Sequence, residues 1–164
     1  MANKPLILTE EHINSINKIL LNTLKQSEAK CALLVDQAGK CLAKKGFTKT
    51  IDTDALAALI AGSFSSTRAM ARLVGETDFS VLFHQGAKDH IHNIIVDDDT
   101  ILTIIFDDRT TIGMVRLYSK ESAKSLREIL KNARKVTKLK VSDLELHQEA
   151  EKRLDDIFDK GKNK

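Results

Sequence analysis

Apolar residues recur along this 164-residue chain in two rhythms, every three to four residues and every second residue. The changes of rhythm divide it into elements. Ile13, Ile16, Leu20 and Leu24 form one helical stripe, and Thr9 stands where an N-cap belongs, which predicts a first helix to about Ser27. CALLVD (31–36) and KCLAKKGF (40–47) flank a turn at Gln37-Ala38-Gly39 and read as a hairpin. Asp52 is placed to cap a second helix, across which Ile51 staples Leu56; the helix reaches about Val74 and stops at Gly75. Three strands follow, FSVLFHQ (79–85), HIHNIIV (90–96) and TILTIIF (100–106), and the short polar connections GAKD and DDD make them antiparallel neighbours. A third helix begins near Thr110 or Thr111 and runs to about Lys135. A last one starts at Ser142, which has capping-box spacing to Glu145, and ends near Gly161. The predicted order is α-ββ-α-βββ-α plus a C-terminal helix. It describes an α/β chain of the α+β type, with one five-stranded antiparallel sheet covered by helices on both faces. Residues 1–137 are expected to form the domain and 138–164 a helical extension.

One stretch does not read as ordinary core. In ALAALIAGSFSST (55–67) and the residues after it, Leu56, Ile60, Phe64, Ala71 and Val74 share one arc and should pack on the sheet. Ala55, Ala58, Gly62, Ser65, Ser66 and Ala69 fall on a roughly opposite arc that is small rather than charged. Gly inside a helix costs about 1 kcal/mol relative to Ala, so Gly62 calls for a reason. A flat face of this kind lets another backbone come close. Either a neighbouring helix of the same chain covers it, or a second molecule does.

Composition narrows the remaining classes. Hydrophobic residues at 42% and charged residues at 30% suit a globular domain, and a net charge of +3 is too small to argue for nucleic acid. With no Trp and one Tyr, base-stacking platforms are not expected. No apolar run approaches the roughly 20 residues of a membrane span, and MANKPLILTEEH lacks the pattern of a secretory signal. A cytoplasmic protein is expected. Cys31 and Cys41 agree with that: in the hairpin Cys31 should face about Gly46 and Cys41 about Asp36, leaving the thiols too far apart to bridge.

Candidate chemistry is sparse. No GxxxxGK[ST] phosphate loop is present. Arg109 in DDRTT is worth testing as an arginine finger, but Asp107 and Asp108 stand ready to pair with it at a strand-to-helix corner, and a structural role is expected. His84, His90 and His92 lie on adjacent strands; whether they converge on one face, as a zinc site would need, turns on a one-residue change of register. Lys124, Arg127, Lys131, Arg134 and Lys138 recur at helical spacing as a basic stripe, suited to solvent, anionic lipid or an acidic partner. From Val141 to Asp159 there are seven acidic and two basic residues, with Leu146, Ala150, Leu154 and Phe158 on one stripe that needs a surface to cover. A second copy of the chain or another partner are the candidates.

The order of elements resembles the roadblock/dynein light-chain fold. More specifically, ALAALIAGSFSSTRAMARLVGETDFSVLFHQG (55–86) followed by IIFDDRTTIGMVRLY (104–118) is similar to the bacterial mutual gliding protein B (MglB) group of that family, over about residues 6–135. The resemblance implies a homodimer that supplies no catalytic side chain; from the residues themselves no cofactor or metal is expected. It implies binding to a small Ras-like GTPase of the mutual gliding protein A (MglA) type and acceleration of its GTP hydrolysis, in cell polarity or motility. Two subunits would serve each GTPase, ordering its switch segments without an arginine finger, and Ala58 and Gly62 would lie at the partner surface. A non-catalytic scaffold that recruits a GTPase or other partners is the alternative.

Overall fold

The computed structural model describes residues 6–161 of the chain, with side chains described as far as Leu154. The elements run α1 (Glu10–Ser27), β1 (Cys31–Asp36), β2 (Cys41–Gly46), α2 (Thr53–Leu73), β3 (Val81–His84), β4 (His90–Asp97), β5 (Thr100–Phe106) and α3 (Ile112–Gly161). The strands form one antiparallel sheet in the order β2-β1-β5-β4-β3. Alternation along each strand sends side chains to two layers. Ala32, Leu34, Leu102, Ile104 and Phe106 meet α1 and α3 through Ile16, Leu20, Leu126 and Leu130. Cys31, Leu33, Val35, Ile101 and Ile105 point the other way, toward Ala57, Ile60 and Phe64 of α2.

The expected caps form. Thr9 Oγ1 accepts from His12 N, and His12 Nδ1 accepts from Thr9 N, a capping box closed by histidine in place of the usual Glu or Gln. Cys31 pairs with Gly46 as expected, but Cys41 faces Val35 rather than Asp36. An irregularity between Leu34 and Val35 absorbs one residue of β2 and shifts the register there. Both cysteines are free; burial pushes the Cys31 thiol up to about 11, so it is held as the protonated thiol.

The expected third and last helices are one element, a correction to the boundary drawn at Lys135 and Ser142. α3 runs unbroken for 50 residues, about 75 Å at 1.5 Å per residue. Between Gly113 and Gly161 the sequence has neither Gly nor Pro, and 136–142 (VTKLKVS) contains nothing that stops a helix. Capping-box spacing at Ser142 signals a start only where the preceding residues break, and here they do not. Burial along α3 ends at Thr137, whose hydroxyl accepts from Ile7 N at 3.1 Å; beyond it the described residues other than Val141 are exposed.

Register also separates the histidines. Phe83 pairs with His92 and His84 with Ile91, so His84 lies on the α2 side while His90 and His92 lie on the α3 side. His92 is fully buried beneath α3, with Nε2 3.0 Å from Ser119 Oγ and Nδ1 without a partner. Desolvation first, and the nearby Arg116 charge second, lower its pKa from 6.5 to about 4. The unfolded chain therefore binds this proton before the folded one does. The stability that depends on the neutral ring is complete above about pH 6.5 and is lost as pH falls toward 4, by up to about 1.4 kcal/mol per pH unit. Urea midpoints measured from pH 7 to pH 4 should fall, and His92→Gln should flatten that fall; a variant profile parallel to the wild type would assign the slope to other groups.

Candidate functional site

α2 is held rigidly at both ends. Asp52 Oδ1 accepts from Ala55 N at 3.0 Å, and Ile51 and Leu56 pack beside it on the same apolar cluster. At the other end Glu76 N donates to Ala71 O at 2.9 Å and Gly75 N to Arg72 O at 3.3 Å, with Gly75 at φ +82°. That is a Schellman closure, and the left-handed backbone at this position is the one glycine adopts without strain. Between the ends, Ala57, Ile60, Ala61, Phe64, Thr67 and Ala71 are buried toward the sheet. Val74, expected among them, is instead the exposed C-cap residue, because the closing turn carries it away from the sheet.

Ala55, Ala58, Gly62, Ser65, Ser66 and Ala69 are all exposed, on the face that α2 turns away from the sheet. No other described part of the chain covers them, and a Cβ built on Gly62 would meet nothing within 4 Å. Packing inside the subunit therefore gives no reason for glycine there. The β1–β2 turn comes up against one margin of this face: a Cβ on Gly39, at φ +85°, would stand 2.9 Å from Ala58 Cα. Arg68 secures the same margin, donating from Nε to Asp78 at 3.0 Å and from a terminal nitrogen to Gln37 Oε1 at 3.4 Å, while the Gln37 amide donates to Asp98 O.

The other margin holds large apolar residues that the reading of small residues passed over. Leu59 is 69% exposed, Met70 53% and Leu73 87%. Leu59 and Met70 stand beside the small arc in helical projection and Leu73 falls within it at the C-terminal end of α2, and an angular plot of all residues, rather than of the small ones, would have shown them. Next to them runs β3, an edge strand with Val81 39% exposed. Leu82 and His84 of β3 line a shallow depression of about 580 Å³ together with Ala58, Gly62, Ser66 and Met70. The surface is thus small-sided at its centre, apolar along one border, and continuous with an unpaired strand edge.

Arg109 is elsewhere. It lines a charged cleft with Lys30, Lys88, Asp89, Asp107 and Asp108, none of which borders the α2 depression. Its Nε donates to Asp107 Oδ1 at 2.9 Å, a bond that holds the Asp107 carboxyl below its usual range. The three histidines do not converge, being divided between the two sheet faces.

A family profile described as the Roadblock/LC7 domain matches residues 16–106. Among solved structures, MglB of Myxococcus xanthus is 38% identical, covering 78% of this chain and 96% of that one, with a TM-score of 0.73. The gliding protein MglB of Thermus thermophilus is 30% identical over 80% of this chain and 99% of that one, at a TM-score of 0.75. A structure described as MglB with a tetrameric arrangement matches with the same identity and coverage, at 0.76.

The open space at Gly62 gives a direct test of the face. Gly62→Ala should stabilise the subunit by about 0.5–1 kcal/mol, because it adds helix propensity and meets no neighbour. Urea midpoints of wild type and variant, compared at one protein concentration, read this. A destabilised variant would mean that the face is packed within the subunit.

Proposed function

The chain belongs to the Roadblock/LC7 domain family, and from that premise we propose that it is an MglB-type activator of a small Ras-like GTPase of the MglA type. It works as a homodimer in the cytoplasm, in the control of cell polarity or gliding motility. Residues 1–137 are the roadblock domain and 138–164 its extension, a division supported by the end of burial at Thr137. One observation carries the reading: α2 presents an exposed small-residue face that folding of the subunit does not require. The small centre, with Ala55, Ala58, Gly62, Ser65, Ser66 and Ala69, admits close approach of partner backbone. Leu59, Met70 and Leu73 with the β3 edge give an apolar border suited to a second subunit. The tetrameric description of one MglB relative is in keeping with self-association.

The mechanism is differential binding rather than donated chemistry. Activation requires that the dimer bind the GTPase more tightly when its switch segments hold the hydrolytic geometry, so that binding energy is realised in the transition state. Arg109 takes no part as a finger; its bond to Asp107 in a separate cleft supports a corner-stabilising role.

Single-turnover GTP hydrolysis by a purified MglA-type GTPase, with and without this protein in molar excess, tests the reading. Stimulation should saturate near two subunits per GTPase. Ala58→Arg and Gly62→Arg should keep wild-type helicity by circular dichroism and abolish both binding and stimulation. Arg109→Ala should leave stimulation within a few-fold, whereas loss of an arginine finger costs about 10³–10⁵. Binding without stimulation would replace the activator with a scaffold that only recruits the GTPase.

A further inference from the structure

The basic stripe of α3 has no acidic counterpart among the described residues. Arg116, Lys120, Lys124, Lys131, Lys135 and Lys138 fall within about 100° of arc, all exposed. Among the described residues none of the six stands in an ion pair. Arg127 and Arg134 share the arc but are engaged: Arg127 Nε donates to Val96 O at 2.6 Å, and Arg134 pairs with Asp97 and Asp99 at 3.1 Å each. Glu121 and Glu128 lie just outside the arc and form no ion pair with it. Beyond Lys138 the arc carries Glu145 and Glu149 but also Lys152 and Arg153, so it is neutral there. The positive charge is thus confined to the stretch of α3 that packs on the domain, a row about 33 Å long at 1.5 Å per residue. Arg116 and Lys120, Lys120 and Lys124, and Lys131 and Lys135 stand four residues apart, a spacing at which like charges repel. Packing of the subunit does not call for the row, because the buried side of α3, with Leu126, Leu130, Ala133 and Thr137, lies outside the arc.

We propose that this row docks on the surface of an anionic phospholipid bilayer. The division between arginine and lysine favours a bilayer over an acidic protein. Two of the three arginines on this stretch of the arc are engaged inside the subunit, whereas all five lysines point outward unpaired. An arginine fork recognises one carboxylate or phosphate in a fixed geometry; a lysine ammonium on its flexible stem is a point charge that follows whatever anion is near. A row of such charges matches a fluid surface of moving headgroups better than a fixed pattern of carboxylates. Leu117 and Leu139, 52% and 67% exposed, flank the row near its two ends, Leu117 at the margin of the arc and Leu139 about 40° beyond it. Leucines beside lysines are the pattern by which a helix lying on a membrane enters the interface while its ammonium groups stay at headgroup level. α2 lies on the other face of the sheet, so a subunit docked through α3 keeps its small-residue face clear of lipid. The inference stands on the α3 surface alone and does not rest on the GTPase reading.

Co-sedimentation of the full chain with phospholipid vesicles tests it. At low ionic strength the protein should partition onto phosphatidylcholine vesicles that contain phosphatidylglycerol and not onto pure phosphatidylcholine, and added salt should release it. A lysine near an anionic surface is worth about five-fold in partitioning, so Lys124→Gln/Lys131→Gln/Lys135→Gln should lower it by about 100-fold. Lys40→Gln/Lys49→Gln/Lys88→Gln removes the same charge away from α3 and should stay within a few-fold of the wild type. All six positions are exposed, so the fold is spared. No binding to the phosphatidylglycerol vesicles, an arc variant that binds like the wild type, or a control variant that loses as much would each overturn the proposal. So would retention on poly-glutamate or on duplex DNA without binding to the vesicles, which would assign the row to an acidic protein or to nucleic acid. Stimulation of GTP hydrolysis in lipid-free solution reads the α2 face separately, so failure of either reading is seen apart from the other.

Discussion

The two-sided burial of β5 is the constraint on which the rest of the molecule depends. All seven of its residues are buried, and it sits at the centre of the sheet between β1 and β4. A strand buried on both faces needs apolar cover above and below. α1 and α3 together supply one layer, and α2 alone supplies the other. A single helix covering a whole face must turn its bulk inward, which is where Ile60 and Phe64 go. What remains outward on α2 is therefore free of any duty to the core. That freedom allows the outer face to be composed for something other than folding.

The same constraint explains where polar groups are admitted. Thr103, in the middle of β5, points to the α2 side and donates to Asn93 Oδ1 at 2.8 Å; Asn93 Nδ2 donates in turn to Leu82 O at 3.3 Å. This chain of bonds runs from the central strand to the edge strand and fixes β3, which contributes Leu82 and His84 to the α2 surface. Between α1 and α3, the buried hydroxyls of Thr23 and Ser122 bond to each other and let the helices approach closely. Satisfied in this way, buried polar groups specify one arrangement instead of weakening it.

How much of this was legible in the sequence followed from whether the controlling physics is local. Helix starts at Thr9 and Asp52 and the stop at Gly75 were readable because a cap involves neighbours within a few residues. The pairing of Cys31 with Gly46 was readable from the turn, whereas Cys41 was displaced by an irregularity that no turn residue announces. Ser142 misled because a cap-like spacing was weighed without asking what breaks the helix before it. On α2 the six small residues were correctly assigned to the face turned from the sheet, while Leu59, Met70 and Leu73 went unnoticed. Large apolar residues on a helix read as core until the width of the core-facing arc is known, and that width depends on how much sheet one helix must cover. That His90 and His92 share a face follows from alternation along one strand, but His84 could not be placed relative to them without register, which is a property of strand pairs rather than of strands.

A surface of Ala, Gly and Ser has a thermodynamic character of its own. Burying a long charged side chain against a partner costs up to about 2 kcal/mol in lost rotamer freedom, whereas Gly and Ala have essentially none to lose. Such a face contributes little attraction per residue, but it also asks for little ordering when it is covered. Its selectivity comes from shape: backbone approaches backbone, and a partner in the wrong conformation fails to fit. A regulator of the proposed kind needs that property, because it must distinguish two arrangements of the same GTPase switch segments without changing any covalent bond itself. Rigidity is then the counterpart of smallness. The Asp52 cap, the Schellman closure at Gly75 and the Arg68 tie to Gln37 and Asp78 hold the face in place. A partner's binding energy is then not spent on ordering α2, and can instead be expressed as a preference between the partner's own states.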